Sequence, residues 1–201
     1  MRPARKFLDA LAQHGWTNIS TWQHQYAKGD WKILFDTSSW LIVEAKGNPR
    51  VPDVEVTREA DTDEAVATWT VRLIEHLCAL EDERQRLRRS LERVRDAADA
   101  AAAHALAASA LNAVPSGAFD VAATHVSSRI VEHLGAMATE HRRLARALEE
   151  IRDGAGPAAP NAIARQALAA CYHTWLVDDV LGADQTKQLC CAICGQRQPS
   201  T

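Results

Sequence analysis

Residues 72–96, RLIEHLCALEDERQRLRRSLERVRD, return as residues 129–153, RIVEHLGAMATEHRRLARALEEIRD, at an offset of 57 positions (129 minus 72). The register continues without a gap: Ala105, Ala107, Ala110 and Leu111 fall on Ala162, Ala164, Ala167 and Leu168. About half the positions of residues 71–111 are identical in the second copy, and many others exchange one aliphatic for another, as in Leu73/Ile130, Ile74/Val131, Leu80/Met137 and Val94/Ile151. Two helices that shared only a heptad pattern would agree in apolar spacing. They would not also repeat Arg72, Glu75, His76 and Asp96. The region is a tandem duplication, and a repeat constrains the fold before any other pattern is read.

Each copy predicts a long helix followed by a shorter one. Val66, Trp69, Leu73, Leu77, Leu80, Leu87, Leu91 and Val94 make one stripe in steps of three and four. Val126, Ile130, Leu134, Met137, Leu144, Leu148 and Ile151 make its twin, the spacing of helices packed lengthwise. Arg84 and His141 interrupt the two stripes at equivalent places. Asp61-Thr62 and Asp120 are candidate caps for the long helices. The shorter helices are expected around 100–112 and 160–180. Gly154 to Pro157 break the second copy, whereas Ala97–Ala103 leave open whether the first is one helix or a hairpin. With Pro115-Ser-Gly117 as separator, repeat 1 spans about 63–119 and repeat 2 about 120–176, within a helical region 62–180. Two hairpins with matching stripes pack most simply about a pseudo-twofold axis, as a four-helix bundle. Burying ~8 aliphatic side chains per stripe at ~1.5–3 kcal/mol each is enough to hold such a pair.

Residues 1–58 have a different character. Pro3 and the face Phe7, Leu8, Leu11 predict a helix that ends at Gly15. STWQHQYA (20–27), WKILFD (31–36) and WLIVEA (40–45) read as strands separated by Lys28-Gly29-Asp30 and Thr37-Ser38-Ser39. VPDVEV (51–56) adds a strand that Pro52 restricts to an edge. Trp16, Trp22, Trp31 and Trp40 are expected to fill much of the core of so small a sheet. The fold class is therefore α+β: an α-β-β-β module ahead of a duplicated helical region, with a cysteine-containing tail at 181–201.

A net charge of −3 gives no global field toward nucleic acid or anionic lipid. No apolar run approaches the ~18–20 residues that span a bilayer. The start MRPARKFLDALAQHGW lacks the apolar segment of a signal peptide, which predicts a cytoplasmic chain whose five cysteines are thiols or metal ligands. Cys191-Ala-Ile-Cys194-Gly195 has the form of a zinc knuckle, two thiolates with a glycine that lets the backbone turn round the ion. Cys171 and His173 are the candidates to complete the tetrahedron, with Cys190 as a substitute. Buried, unliganded thiols are the plain alternative.

Glu75-His76 and Glu132-His133 recur, but adjacent residues splay about 100° apart on a helix and do not form the inward Glu-x-x-His of di-iron bundles. Pairing of Glu75 with Arg72, and of Glu132 with Arg129, is expected instead. The arginines of residues 84–95 alternate with Glu81, Asp82, Glu83 and Glu92, which reads as a solvated face. There is no Gly-rich phosphate loop, GxSxG or HExxH.

The helix ending in Gly15-Trp16, with His24 in the strand about eight residues on, resembles the small double-stranded-RNA-binding-like fold that includes HicA-type mRNA interferase toxins. The resemblance implies a catalytic histidine at His24. The chain departs from that family in lacking its Gly-Ser-His and in having no basic helix after the sheet. The Ala/Arg-rich composition is similar to that of proteins from high-GC actinobacteria and their phages.

The function expected is a non-enzymatic binding or assembly protein, its helical stripe serving self-association or a protein partner. One alternative is a nucleic-acid-binding or RNase-like module with His24, Lys28, Lys32 and Lys46 on one surface. The other is a zinc-stabilised regulator using Cys171, His173, Cys191 and Cys194.

Overall fold

The computed structural model describes residues 5–20, 25–35, 40–45, 51–55, 63–112, 128–154, 159–170, 175–178, 188–191 and 197–199. The chain is α+β and forms two compact units. The first comprises Met1–Cys78, Val121–His133 and His173–Thr201; the second comprises Ala79–Asp120 and Leu134–Tyr172.

The first unit opens with α1 (Arg5–Gln13), which buries Phe7, Ala10 and Leu11. Gly15, at φ 79°, takes the left-handed conformation that ends the helix, and the Trp16 amide donates back to the Leu11 carbonyl. A five-stranded antiparallel sheet follows in sequence order: β1 (Thr17–Ser20), β2 (Gln25–Lys28), β3 (Trp31–Phe35), β4 (Trp40–Ala45) and β5 (Val51–Glu55). The single strand expected over 20–27 is instead parts of two. Thr17 pairs with Ala27 across a hairpin, with a register shift between Asn18 and Ser20. Alternation persists through both strands, so periodicity did not separate them. Pro52 does lie in an edge strand, β5. Among the tryptophans, Trp16 and Trp31 are buried with Tyr26 and Ile33, and Trp22 lies outside the described residues.

The long helix α2 runs from Glu64 to Arg95 over 32 residues without glycine or proline. Its N-terminus is capped by Asp63, whose carboxylate accepts from the amides of Ala65 (2.8 Å) and Val66 (3.4 Å). This is one residue past the expected Asp61-Thr62. Arg93 and Arg95 stand in its last turn, where cations complement the helix dipole. The chain then breaks, and Asp99 starts α3 (Ala100–Leu111) by accepting from the Ala102 amide at 2.8 Å. The first copy is therefore a hairpin. In the second copy α4 (Ser128–Asp153) ends at Gly154 (φ 63°), and Pro160 opens α5 (Pro160–Ala169). The expected cap Asp120 lies outside the described residues.

The helix expected to reach residue 180 stops at Ala169. Ala170 is extended, and β6 (Trp175–Asp178), β7 (Gln188–Cys191) and β8 (Arg197–Pro199) form a second antiparallel sheet with β7 central. The Trp-Leu-Val run that extended the apolar pattern is β-favouring, and short apolar runs do not distinguish the two states. No helix among the described residues is long and apolar enough to cross a membrane.

Within the second unit all four helices feed one apolar core: Leu87, Leu91 and Val94 from α2; Ala103, Ala107 and Ala110 from α3; Leu144, Leu148 and Ile151 from α4; Ile163, Ala164 and Ala167 from α5. Small alanines on the short helices let them approach the larger side chains of the long ones. The contacts are reciprocal. The Asn161 amide donates to the Ala97 carbonyl at 3.4 Å. A side chain begun at Gly154 would meet the His104 ring at 3.5 Å. Shifted by 57 positions, 97 becomes 154 and 104 becomes 161, so each contact is the image of the other.

Leu91 and Leu148 are twins, both fully buried. Replacing either with alanine should cost about 2–5 kcal/mol, with the two values within about 1 kcal/mol of each other because the cavities face equivalent surroundings. Urea unfolding followed by circular dichroism measures this; a surface-like cost of under about 0.5 kcal/mol at either position would contradict the shared core.

Candidate functional site

Two clusters of charged side chains stand out, one in each unit. In the second unit the apolar stripe is interrupted where the sequence placed Arg84 and His141. Arg84 is 1% exposed. Its Nε and Nη2 donate to Oε2 and Oε1 of Glu81, one turn earlier, at 2.8 and 2.6 Å. Gln85 donates to the same carboxylate at 2.9 Å. Glu140 is 0% exposed and takes two bonds from Arg143, at 2.8 and 2.6 Å. Taking such ions from water costs several kcal/mol each, so these fork-to-carboxylate pairs are a condition of burial.

The same device serves a second end. Arg86, held at 3.4 Å by Glu83, donates to the Ala110 carbonyl at 2.6 Å. Arg143, its twin, donates to the Ala167 carbonyl and to that of Ala170 at 2.7 Å. Carbonyls at a helix C-terminus have no intrahelical donor. In both copies one arginine of the long helix therefore caps the short one. Between the copies, His141 Nε2 lies 3.2 Å from Glu83 Oε1. Where each long helix ends, Arg95–Asp96 and Arg152–Asp153 repeat one exposed geometry, at 2.8 and 2.7 Å. Their hydrogen bonds hold each aspartate below the usual carboxylate range.

In the first unit Glu75 joins three elements. Its carboxylate meets His14 Nδ1 at 3.0 Å and Lys28 Nζ at 2.5 Å, and Lys28 also donates to the His14 carbonyl at 2.7 Å. Glu75 thus pairs with His14, just past α1, and with Lys28 of β2, not with Arg72 one turn away. Burial pushes its carboxyl up, but hydrogen bonds from Lys28 and His14 outweigh this and leave it below the ordinary 4.5. Nearby, burial pushes His76 down. Chemically, an imidazole oriented by a carboxylate is the first half of a general base. Here the partner lysine is committed to closing the end of α1, and the cluster is a staple.

The residues singled out in the sequence are only partly brought together. Ala27 pairs with Lys32, and Lys28 with Trp31. Directly paired residues share a sheet face, so Lys28 lies on the face of buried Trp31 while Lys32 lies on the other. His24 and Lys46 lie outside the described residues. Cys191 closes β7 opposite Trp175, while Cys171, His173 and Cys194 lie outside the described residues. Glu132 is exposed and His133 buried. Among the described residues no three His, Cys, Asp or Glu side chains form a metal-ligand group. The sequence reading missed His14, whose partner is 61 positions away. It also missed the buried carboxylates, although the recurrence of Glu83 and Arg86 as Glu140 and Arg143 was a signal.

No protein-family model matches the chain, and comparisons with curated proteins and with solved structures find no match.

Because the folded-state pKa of Glu75 lies below its unfolded value, the stabilisation it gives is present above pH 4.5 and is lost as pH falls through the lowered value. Glu75→Gln should therefore be less stable than wild type at pH 7, with the gap closing on acidification. Thermal unfolding across pH 3–7 reads this out, and a gap that widened toward acid would reverse the assignment.

Proposed function

We propose that this chain is a non-enzymatic binding and assembly protein whose duplicated helical unit serves self-association or holds a protein partner. The observation that supports this reading is the core to which both copies contribute equivalent residues, Leu87, Leu91 and Val94 with Leu144, Leu148 and Ile151, the pattern of an interface between identical partners. Two exposed aliphatic side chains add to it: Ile19 on the edge strand β1, and Val131 on α4, whose twin Ile74 is fully buried. Among the described residues these are the large aliphatic side chains left exposed, and so the positions to substitute.

The reading is tested by light scattering over a concentration series and by capture from native extract, using wild type, Ile19→Lys and Val131→Asp. Association or capture should fall at least about tenfold in one of the variants, a loss of about 1.4 kcal/mol, with the unfolding midpoint unchanged. A chain that stays monomeric and captures nothing at any concentration refutes it.

A second reading, a zinc-stabilised regulator, is supported by the register of the second sheet. Cys191 ends β7 opposite Trp175, which starts β6, so both chain ends that lead in sequence to Cys171, His173 and Cys194 leave the sheet at one end. Elemental analysis of purified protein should then give about one zinc per chain, lost together with thermal stability in Cys191→Ser/Cys194→Ser. Zinc well below stoichiometric removes this reading. For the nucleic-acid or RNase alternative, the opposite-face placement of Lys28 and Lys32 offers no support.

A further inference from the structure

We draw no further inference here: the strongest candidate, the cleft beside the first turns of α2 where Thr68, Trp69 and Arg72 stand together, has every described wall on that one helix, and nothing in the structure shows what covers it.

Discussion

Buried charge sets the terms for the helical unit. Arg84, Glu81 and Glu140 are almost wholly removed from water, and an ion so placed tolerates few arrangements. Each guanidinium meets its carboxylate through two bonds, which fixes side-chain direction as well as distance. Both pairs lie within one helix, glutamate and arginine one turn apart, so each ion enters the core with its partner beside it, while the leucine layers supply the attraction.

Pairs of this kind also reach the short helices. Helices of 10–12 residues are marginal in isolation, and α3 and α5 are rich in alanine, which packs closely but buries little area. Arg86 and Arg143 tie the ends of these helices back to the long ones. Each arginine is itself held by a glutamate one turn earlier. Glutamate, arginine and capped carbonyl form a single chain of contacts, present in both copies because it was duplicated with them. This is why conserving Glu83/Glu140 and Arg86/Arg143 between the copies matters more than the looser matches around them.

The duplication was legible because polar residues repeated along with apolar ones, and coincidence of pattern does not produce that. Strand β4 was legible because Trp40, Ile42 and Val43 are strand-favouring, and the edge position of β5 because proline lacks a ladder donor. Other features depended on partners that no local window contains. The break before α3 comes from Asp99 capping in the middle of an alanine-rich run, whereas its counterpart advertises itself with Gly154 and proline. The arginine run reads as a solvated face, and Arg89, Arg93 and Arg95 are exposed. Arg84 is not, because its place in the stripe turns it inward. The staple of His14, Lys28 and Glu75 joins residues separated by 14 to 61 positions, and spacing along the chain carries no trace of it.

Divergence between the copies follows the environment each one meets. At the apolar layers of the second unit the twins remain nearly alike, Leu87 with Leu144, Leu91 with Leu148 and Val94 with Ile151, because both face the same core. At the first turns of the long helices they part. Ile74 is fully buried within the first unit, while Val131 is 41% exposed. A duplicated segment starts with identical surfaces, so a position covered in one copy and open in the other marks where the rest of the chain covered only one of them. Val131 remains aliphatic, as its twin is.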